Sequence, residues 1–460
     1  MRRIAYCSPI NPVASGISDY SEELLPYLGQ YVDVTVYHES GITPNNTHLL
    51  HHMTLRPLNQ LISDHQRHAY DAVIYHMGNS AAHSEIYTVA QQLPGIVVLH
   101  DLVLHHFMLQ YYANVVKDLG AYHALVSATY GADGATVAGR MMRGIFDDAV
   151  FQMPLCQPLL AHATAVISHS QYVADAVRTM APHLPIHVVP MGIPILPRRD
   201  VTTLRQQLGF GDDAFIMASF GHVNPYKRTD QILRTLRTLR RAGVNAHHII
   251  VGSISPNVPH QRMILRTNTQ DAVHITGYVA ADVFNAYVDV ADVCINLRHP
   301  TAGETSASLL RLLAAGKPTF ITASGSFLEI PRHVAVHVPL DDHEVDFLAA
   351  ALFLCAQERA FATQVGNNAR AFVESHHTLP QSAAAYMQVL ATHHGWDAPT
   401  PSRPVRWDVH PDADAPFPTL HPQRISTTPT RAPLPSHPPP ALHGAGARIQ
   451  ALAAQLFRKK

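Results

Sequence analysis

Short, mostly apolar runs alternate with longer amphipathic segments along the first half of the chain. The runs are predicted strands, at residues 3–7, 32–37, 72–76, 96–100, 165–168 and 186–189. Apolar residues recur every three to four positions at 20–28 and 171–180, which predicts helices between the strands. Buried strands alternating with helices are typical of a doubly wound parallel sheet, because crossover helices cover both of its faces.

A second alternating set follows in the second half of the chain. Its predicted strands are residues 215–220, 248–251, 273–276, 293–297, 319–322 and 334–338. Its predicted helices are residues 229–242, 282–290, 305–315 and 342–355. We therefore expect an α/β protein with two tandem Rossmann-like domains that face a cleft, with ligands at the carboxyl ends of both sheets.

The pattern also predicts the domain boundaries. The expected parts are an N-terminal domain at 1–195 with a helical insertion at 104–160, a C-terminal domain at 196–378, a closing helix at 379–395, a Pro-rich disordered tail at 396–446 and a short basic amphipathic helix at 447–460. The stretch 192–213 has the prolines and charges of a linker, and we expect it to act as a hinge for domain closure. The tail carries 13 of the 34 prolines within residues 399–440, a composition typical of disorder. The terminal helix suggests weak association with an anionic membrane surface, with a fraying terminus as the alternative.

Composition limits the classes of partner and the location. The 460 residues include 33 Lys and Arg and 34 Asp and Glu, so the net charge does not favour nucleic acid as a binding partner. No run approaches the roughly 18 apolar residues that cross a bilayer, and the first apolar run is too short for a signal peptide. We therefore expect a cytoplasmic protein.

Histidine and cysteine could have indicated a metal site. The 33 histidines include several adjacent pairs, whose side chains point apart on a helix or strand, and no HExxH pattern accompanies them. The four cysteines are scattered, without paired spacing. A bias in composition explains the histidines better than a metal site.

The stretch PTAGETSASLLRLLAAGKP at 300–318 is the most specific candidate for a ligand site. It reads as a loop ending in Gly303-Glu304, after which a helix opens at Thr305-Ser306 and closes at Gly316. A helix start favours phosphate, and a neighbouring carboxylate accepts from sugar hydroxyls. This arrangement suggests a nucleotide-sugar pocket, with an ordinary βα unit and a capping acid as the alternative.

Other candidates follow predicted strands. Gly16 precedes a helix capped by Ser18 or Asp19, where a glycine lets backbone N–H groups approach a phosphate. The pattern is not the GxGxxG of dinucleotide binders, which argues against a nicotinamide enzyme. His100 ends the fourth strand beside Asp101, where it could donate to a sugar hydroxyl or, if charged, steady a leaving phosphate; the alternative is an ordinary loop histidine.

The second predicted domain offers cations. After the strand 215–220 come Gly221 and then Lys227 and Arg228, a point charge and a bidentate group suited to a diphosphate. Cations are disfavoured at a helix start, so their presence there favours a bound anion over a solvated helix end. Glu329 lies in another loop on the cleft side of the second sheet.

These pieces, in this order, resemble the family 4 retaining glycosyltransferases, which have the two-Rossmann glycosyltransferase-B fold. The resemblance covers about residues 3–393. The matching segments are SPINPVASGISDY after the first strand, LHD at 99–101, VVPMGI at 188–193, the basic element at 221–228 and the acidic element that begins at Glu304 ahead of a Gly-Lys-Pro turn.

Two positions depart from the family pattern. Its acidic element is E-x7-E, and Arg311 stands where the second glutamate, which commonly holds the ribose hydroxyls, would fall. The arginine usual before the lysine of the basic element is missing, with His222 and Asn224 in that neighbourhood and Arg228 as a candidate substitute. Some branches of the family carry GETS without the second acid.

The resemblance implies transfer of a hexose from a nucleoside diphosphate sugar, UDP- or GDP-linked, to a glycan or lipid-linked acceptor, with retention at the anomeric carbon and without a metal or cofactor. It implies catalytic roles for His100, Glu304 and Lys227. The implied donor-binding residues are Gly16, Gly221, Lys227, Arg228, Gly303, Glu304, Thr305, Ser306 and Glu329. The insertion at 104–160 is the candidate acceptor region.

Two alternatives to an active transferase stay open at the level of sequence. A nucleotide-sugar epimerase would need a carboxylate poised as base or acid near the sugar, and no single residue stands out for that role. A catalytically weak fold relative could bind a glycan or a partner as a scaffold, and Arg311 together with the long tail favours this second alternative.

Overall fold

The structure, a computed structural model, describes residues 1–68, 70–409, 417–418, 420 and 423–424. The chain divides into two compact units. Unit 1 contains Met1–Pro194, Pro300–Ala307 and His376–Val409. Unit 2 contains Ile195–His299 and Ser308–Ser375, together with the described residues from 417 onward.

Unit 1 is built on a seven-stranded parallel sheet. Its strands are β1 Arg3–Cys7, β2 Asp33–His38, β3 Thr54–Pro57, β4 Ala72–Met77, β5 Gly95–Leu99, β6 Ala163–Ser168 and β7 Ile186–Val188. Its first helices are α1 Gly16–Leu28, α2 Thr47–His52, α3 Leu61–His68, α4 Ser84–Ala90, α5 His105–Tyr111, α6 Leu119–Met142, α7 Gln157–Leu160 and α8 Gln171–Met180. The strand order is β3-β2-β1-β4-β5-β6-β7, so the direction of winding reverses between β1 and β4.

Unit 2 repeats this architecture. Its strands are β8 Phe215–Phe220, β9 Ala246–Val251, β10 Val273–Gly277, β11 Val293–Asn296, β12 Thr319–Thr322, β13 Val336–Val338 and β14 Gln423–Arg424. Its helices are α9 Thr202–Gln207, α10 Thr229–Arg241, α11 His260–Thr267, α12 Ala281–Val290, α13 Ala307–Ala314, α14 Glu344–Gln357 and α15 Arg359–His376. The order is β13-β12-β11-β8-β9-β10-β14, parallel except for β14, which pairs antiparallel to β10. The predicted fold class of two doubly wound α/β sheets is confirmed.

The last helix, α16 Leu379–His394, returns to unit 1. It begins with a capping box, in which the Thr378 hydroxyl accepts from the amide of Gln381 and the Gln381 side chain reaches back. It packs on α1, where the Tyr20 hydroxyl lies 3.2 Å from that of Tyr386. Just before this helix the chain lies beside the end of the Met1–Pro194 segment of unit 1. The Ile193 amide donates to the carbonyl oxygen of His377 there.

The predicted linker at 192–213 is wrong beyond its first few residues. Residues 202–207 form α9, and Leu204 and Phe210 are buried in the core of unit 2. Arg205 fixes this segment to the sheet through hydrogen bonds to the carboxylate of Asp292. The stretch is therefore packed against unit 2 and is not a linker. Its prolines and charges made the short amphipathic helix hard to recognise in the sequence.

The predicted start of the tail at 396 also needs correction. Trp407 is 8% exposed and stacks against His48 and His52 of α2, and Arg403 pairs with Asp33 of β2. Residues 396–409 are thus part of unit 1, where aromatic and cationic contacts hold them despite their prolines. The rest of the predicted tail, apart from the few described positions, and the predicted helix at 447–460 lie outside the described residues.

Candidate functional site

Loops from three strands of unit 1 meet where the winding of the sheet reverses. At this reversal the loops after adjacent parallel strands diverge and leave room for a ligand. Gly78, which follows β4, is the point of closest approach. A Cβ atom there would lie 2.5 Å from the Ile17 side chain, 3.0 Å from Nε2 of His83 and 3.2 Å from a carboxylate oxygen of Asp101. Only a glycine lets the loops after β1, β4 and β5 approach this closely.

The Gly16 loop differs in detail from the prediction. Gly16 is the first residue of α1, and the cap is Ser15, whose hydroxyl accepts from the amide of Ile17 at 3.2 Å. Neither Ser18 nor Asp19 is the cap. A Cβ atom on Gly16 would meet nothing within 4 Å, so packing within the protein does not require a glycine here. A close approach of a ligand to the backbone stays a prediction.

His100 follows β5 and lies in a cluster of buried histidines. Its side chain is 5% exposed, and its Nε2 lies 2.9 Å from Nδ1 of His76, the penultimate residue of β4. The Tyr20 ring contacts it edge-on at 5.5 Å, and the His169 ring lies 4.9 Å away. Burial, and then the neighbouring histidines, lower the pKa of His100 well below its usual value. The lowered pKa favours a neutral His100, which suits the predicted role of hydrogen-bond donor better than that of a charged group beside a leaving phosphate. Both roles stay predictions.

Sequence reasoning missed the histidines around His100. His76 and His83 are fully buried and His169 is 7% exposed. His83 donates from Nδ1 to the carbonyl oxygen of His76, and His169 donates from Nδ1 to that of Val189. The sequence does carry the pattern that could have identified them, a histidine at the end of a predicted strand. It occurs in YHMGN and ISHS as it does in VLHD. It was hidden because 33 histidines made each one look like compositional background.

The Glu304 loop belongs to unit 1, although the sequence places it in the second domain. The Val103 amide donates to the carbonyl oxygen of Ala302 at 3.0 Å, which ties this loop to the one that carries His100. The Thr301 hydroxyl donates to Oε2 of Glu304 at 2.8 Å and accepts from the Gly303 amide at 3.0 Å. Glu304 is 7% exposed, so its carboxylate is held in place by the surrounding loop.

The helix after this loop begins slightly later than predicted. Thr305 and Ser306 precede α13, whose first residue is Ala307, and the helix ends at Ala314 with Gly316 at φ 70°. Ser306 is 7% exposed. The pair therefore lies at the entrance to the helix rather than within it. Their predicted role at a phosphate seat remains a prediction.

In unit 2 the winding reverses between β8 and β11, and two cations follow these strands. Lys227 ends a 3₁₀ turn after β8, and its Nζ donates to the carbonyl oxygen of Phe220 at 3.3 Å. Burial, and then the charge of Arg298 after β11, lower the pKa of Lys227 well below its usual range. A lysine whose pKa is perturbed by burial and by a neighbouring charge is a candidate for a functional site. Sequence reasoning missed Arg298, although it also follows a strand.

The loops around this cation pair are closely fitted. Gly221 has φ 88°, a conformation that favours glycine, and its amide donates to the carbonyl oxygen of Val251. A Cβ atom on Gly252 would come within 2.3 Å of the Gly221 carbonyl oxygen, so the loops after β8 and β9 touch through their backbones. The His299 amide donates to the carbonyl oxygen of Tyr226, joining the loops that carry Arg298 and Lys227.

Arg228 lies next to Lys227 but has a different environment. It adopts a left-handed conformation, φ 55°, immediately before α10. Its Nε and Nη2 donate to the two carboxylate oxygens of Glu344, the first residue of α14, which is 3% exposed. The bidentate pair gives Arg228 a structural partner within unit 2. Its predicted contact with a donor is untested.

Two further positions were singled out in the sequence. Arg311 lies in α13, and Glu329 is the exposed last residue of a 3₁₀ turn, Gly325–Glu329, that follows β12. Glu329 is therefore at the carboxyl-end side of the second sheet, as its predicted role requires. Neither position has a ligand contact that the structure tests.

Within the described residues, no group of three or more His, Cys, Asp or Glu side chains is arranged to hold a metal ion. None of the helices described combines the length and apolar character needed to cross a bilayer.

Comparison with known proteins gives a family match over part of the chain and a fold. The model for "Glycosyl transferases group 1" matches residues 200–372. This stretch includes the cation pair and most of unit 2. The match confirms the predicted resemblance to group 1 glycosyl transferases, while the retaining family 4 subclass stays a prediction.

Solved structures cover both units. HepE from Anabaena, in complex with UDP and glucose, aligns with a TM-score of 0.60 at 16% identity, over 85% of this chain and 100% of its own. Sucrose-phosphate synthase from Thermosynechococcus elongatus aligns with a TM-score of 0.60 at 17% identity, over 85% and 99%. A glycosyltransferase from Rickettsia africae aligns with a TM-score of 0.59 at 13% identity, over 85% and 98%. These likenesses show the glycosyltransferase-B fold. No curated protein matches the chain.

Proposed function

We propose that the protein is a glycosyltransferase that moves a hexose from a nucleoside diphosphate sugar to a glycan or lipid-linked acceptor, with retention at the anomeric carbon. The observation that carries the proposal is the pairing of Lys227 with Arg298 at the reversal point of the second sheet, inside the segment that matches group 1 glycosyl transferases. Positive charge gathered at this reversal point would favour binding of an anion, and a diphosphate supplies two negative charges.

The chemistry of such a transfer suits the residues present. The barrier is departure of the diphosphate from a centre that becomes oxocarbenium-like, so positive charge placed at the leaving oxygens lowers it. In unit 2, Lys227 and Arg298 supply that charge. In unit 1, Glu304 accepts from hydroxyl groups of the hexose and His100 donates to one. No pair of flanking carboxylates is needed, in contrast to glycoside hydrolysis, and the proposal includes no metal.

The complex of HepE with UDP and glucose supports a UDP-sugar as the first donor to test. GDP-sugars remain the second choice. A cytoplasmic location, weak membrane association and a role in making a cell-surface glycan stay predictions.

Thermal unfolding in the presence of UDP, GDP and ADP tests the nucleotide site. A ligand that binds only the folded state raises its stability, by about 2.7 kcal/mol at a hundred times Kd. We expect one nucleotide to raise Tm in the wild type, and this rise to be lost in Lys227→Ala. The matched control is Arg241→Ala, which removes an exposed cation from the end of α10 and should keep the shift.

Transfer itself is tested with the sugar donors of the nucleotide that binds. We expect release of the nucleoside diphosphate, dependent on Lys227, and a product whose anomeric configuration by NMR matches that of the donor. Inversion at that carbon would contradict the retaining mechanism alone. Absence of any Tm shift at millimolar nucleotide would contradict the whole proposal and favour a scaffold.

A further inference from the structure

The histidine pair at the end of β4 and β5 has a defined direction of hydrogen bonding. Nδ1 of His76 and Nε2 of His100 lie 2.9 Å apart, so one nitrogen carries the shared proton. Nε2 of His76 is buried and has no hydrogen-bond partner. If His76 were the acceptor, its own proton would sit on this Nε2 as an orphaned buried donor, which proteins almost never tolerate. His76 therefore donates from Nδ1 and leaves only a lone pair on Nε2.

The surroundings keep both rings neutral and in place. His83 donates to the carbonyl oxygen of His76, so the backbone of His76 is fixed from the following loop. The Tyr6 ring packs on His76 at 4.4 Å, and Tyr20 packs on His100 at 5.5 Å. Burial lowers the pKa of His76 as it does that of His100. Because neither ring is charged, the tautomer decides what His100 can offer to a ligand.

The tautomer of His100 follows from that of His76. With Nε2 accepting from His76, the proton of His100 must be on Nδ1. Nε2 of His76, of His83 and of His169 is buried without a hydrogen-bond partner, whereas Nδ1 of His100 is not enclosed in this way. His100 therefore presents an N–H, not a lone pair, at the nitrogen that remains accessible.

We propose that His76 is a positioning residue, which holds His100 in the Nδ1–H tautomer so that His100 donates a hydrogen bond to the substrate. The proposal rests on the proposed function for the identity of that substrate, a hydroxyl or phosphate oxygen of a nucleoside diphosphate sugar. Without His76, His100 is free to carry its proton on Nε2 and to present a lone pair, which cannot bind a phosphate oxygen and binds a hydroxyl with reversed polarity.

The first test reads the tautomer directly and needs no substrate. In protein labelled with ¹⁵N-histidine, long-range ¹H–¹⁵N correlation distinguishes protonated from unprotonated ring nitrogens, and loss of signals in His100→Asn assigns them. We expect His100 to carry its proton on Nδ1 in the wild type and to become a mixture, or to switch to Nε2, in His76→Leu. A proton on Nε2 of His100 in the wild type would overturn the proposal. Since this readout requires no turnover, failure of the proposed function cannot conceal failure of this inference.

The second test is a double-variant cycle on turnover. We expect His76→Leu to lower kcat about tenfold, the loss expected for one hydrogen bond, with KM little changed. Adding His76→Leu to His100→Ala should cost nothing further, because His76 acts through His100. His76→Asn retains an N–H donor near the place of Nδ1 and should recover most of kcat. Multiplicative losses in the double variant would overturn the proposal.

A matched control separates positioning from general loss of stability. His248 is also a fully buried histidine, on β9, with one hydrogen bond, to the hydroxyl of Ser219 at 3.0 Å. His248→Leu should lower Tm about as much as His76→Leu does but leave kcat unchanged. If both variants lower kcat in parallel with Tm, His76 has only a structural role.

Discussion

The backbone amide of Val103 donates to the carbonyl oxygen of Ala302 across 3.0 Å, although the two residues are about two hundred positions apart in the sequence. This bond groups the Glu304 loop with unit 1. Gly303, the next residue, has φ 79°, and a Cβ atom there would lie 2.7 Å from Cβ of Leu102. The carboxylate of Glu304 is therefore positioned by a glycine that fits against the loop of His100.

We predict that Gly303→Ala displaces this loop and lowers turnover at least tenfold, because the added methyl group must push Leu102 or the loop aside. The measurement is the rate of nucleoside diphosphate release, with Tm recorded in parallel. Gly243→Ala is the matched control, since Gly243 has φ 88° but a Cβ atom there meets nothing within 4 Å. It should cost stability alone, and an equal loss of turnover in the control would contradict the prediction.

The core strands could be predicted from the sequence because burial on both faces leaves a continuous apolar signal. Residues 3–7, 215–220 and 319–322 were predicted with the ends that the structure gives to β1, β8 and β12. The edge strand β3, Thr54–Pro57, was missed. It is only four residues long, is partly buried and ends in proline, so it lacks the continuous apolar run of the core strands.

The candidate site could be predicted only in part, because sequence shows where strands end but not what their loops contact. The positions of His100, Lys227 and Glu304 could be predicted because each follows a clear strand, while their roles stay predictions. The ion pair of Arg228 with Glu344 could not be predicted, because the two residues are over a hundred positions apart and nothing in the sequence near either one indicates it. The assignment of the Glu304 loop to unit 1 likewise depends on a long-range backbone bond.

Lys227 should make nucleotide binding depend on pH. Its pKa is lowered by burial and by Arg298, and a bound diphosphate favours its protonated form. As the pH rises through the lowered pKa, the lysine loses its charge and the affinity for a nucleoside diphosphate falls. We expect a lower affinity at pH 9 than at pH 7 by calorimetry, with proton uptake on binding at the higher pH.

Lys227→Arg provides the control for this dependence, because arginine keeps its charge over this range. The variant should bind with an affinity that changes little between pH 7 and pH 9. If the pH dependence persists unchanged in Lys227→Arg, another group is responsible for it.

Replacing Arg228 and Lys227 in turn by methionine should distinguish a structural role from a role in nucleotide binding. Arg228→Met leaves the carboxylate of Glu344 buried without its partner, and we expect the free energy of unfolding to fall by about 3 kcal/mol. Lys227→Met removes a buried amine whose charged form is disfavoured, so stability should be unchanged or higher while nucleotide affinity is lost. Urea unfolding and nucleotide titration of both variants make the comparison. Loss of affinity without loss of stability in Arg228→Met would instead assign Arg228 to the donor.

The buried histidines of unit 1 should make the protein sensitive to mild acid. Burial lowers the pKa of His83 and of His169 to about 4, below the ordinary value of about 6.5 that each regains on unfolding. Between these values the unfolded chain binds protons that the folded protein does not. The free energy of unfolding is therefore fully present above the unfolded pKa and falls as the pH drops toward 4, by up to about 1.4 kcal/mol per pH unit for each histidine.

Urea unfolding of the wild type and of His169→Gln at pH 7 and pH 5 checks this expectation. Glutamine does not titrate, so the variant should be less stable than the wild type at pH 7 but should lose less on going to pH 5. Contributions from groups that do not interact with His169 are shared and cancel in the comparison. His76 and His100, whose pKa values His169 lowers, are less perturbed in the variant, which acts in the same direction. An equal loss in both proteins would mean that His169 is protonated as readily in the folded protein as in the unfolded chain, contrary to its burial beside His100 and Tyr20.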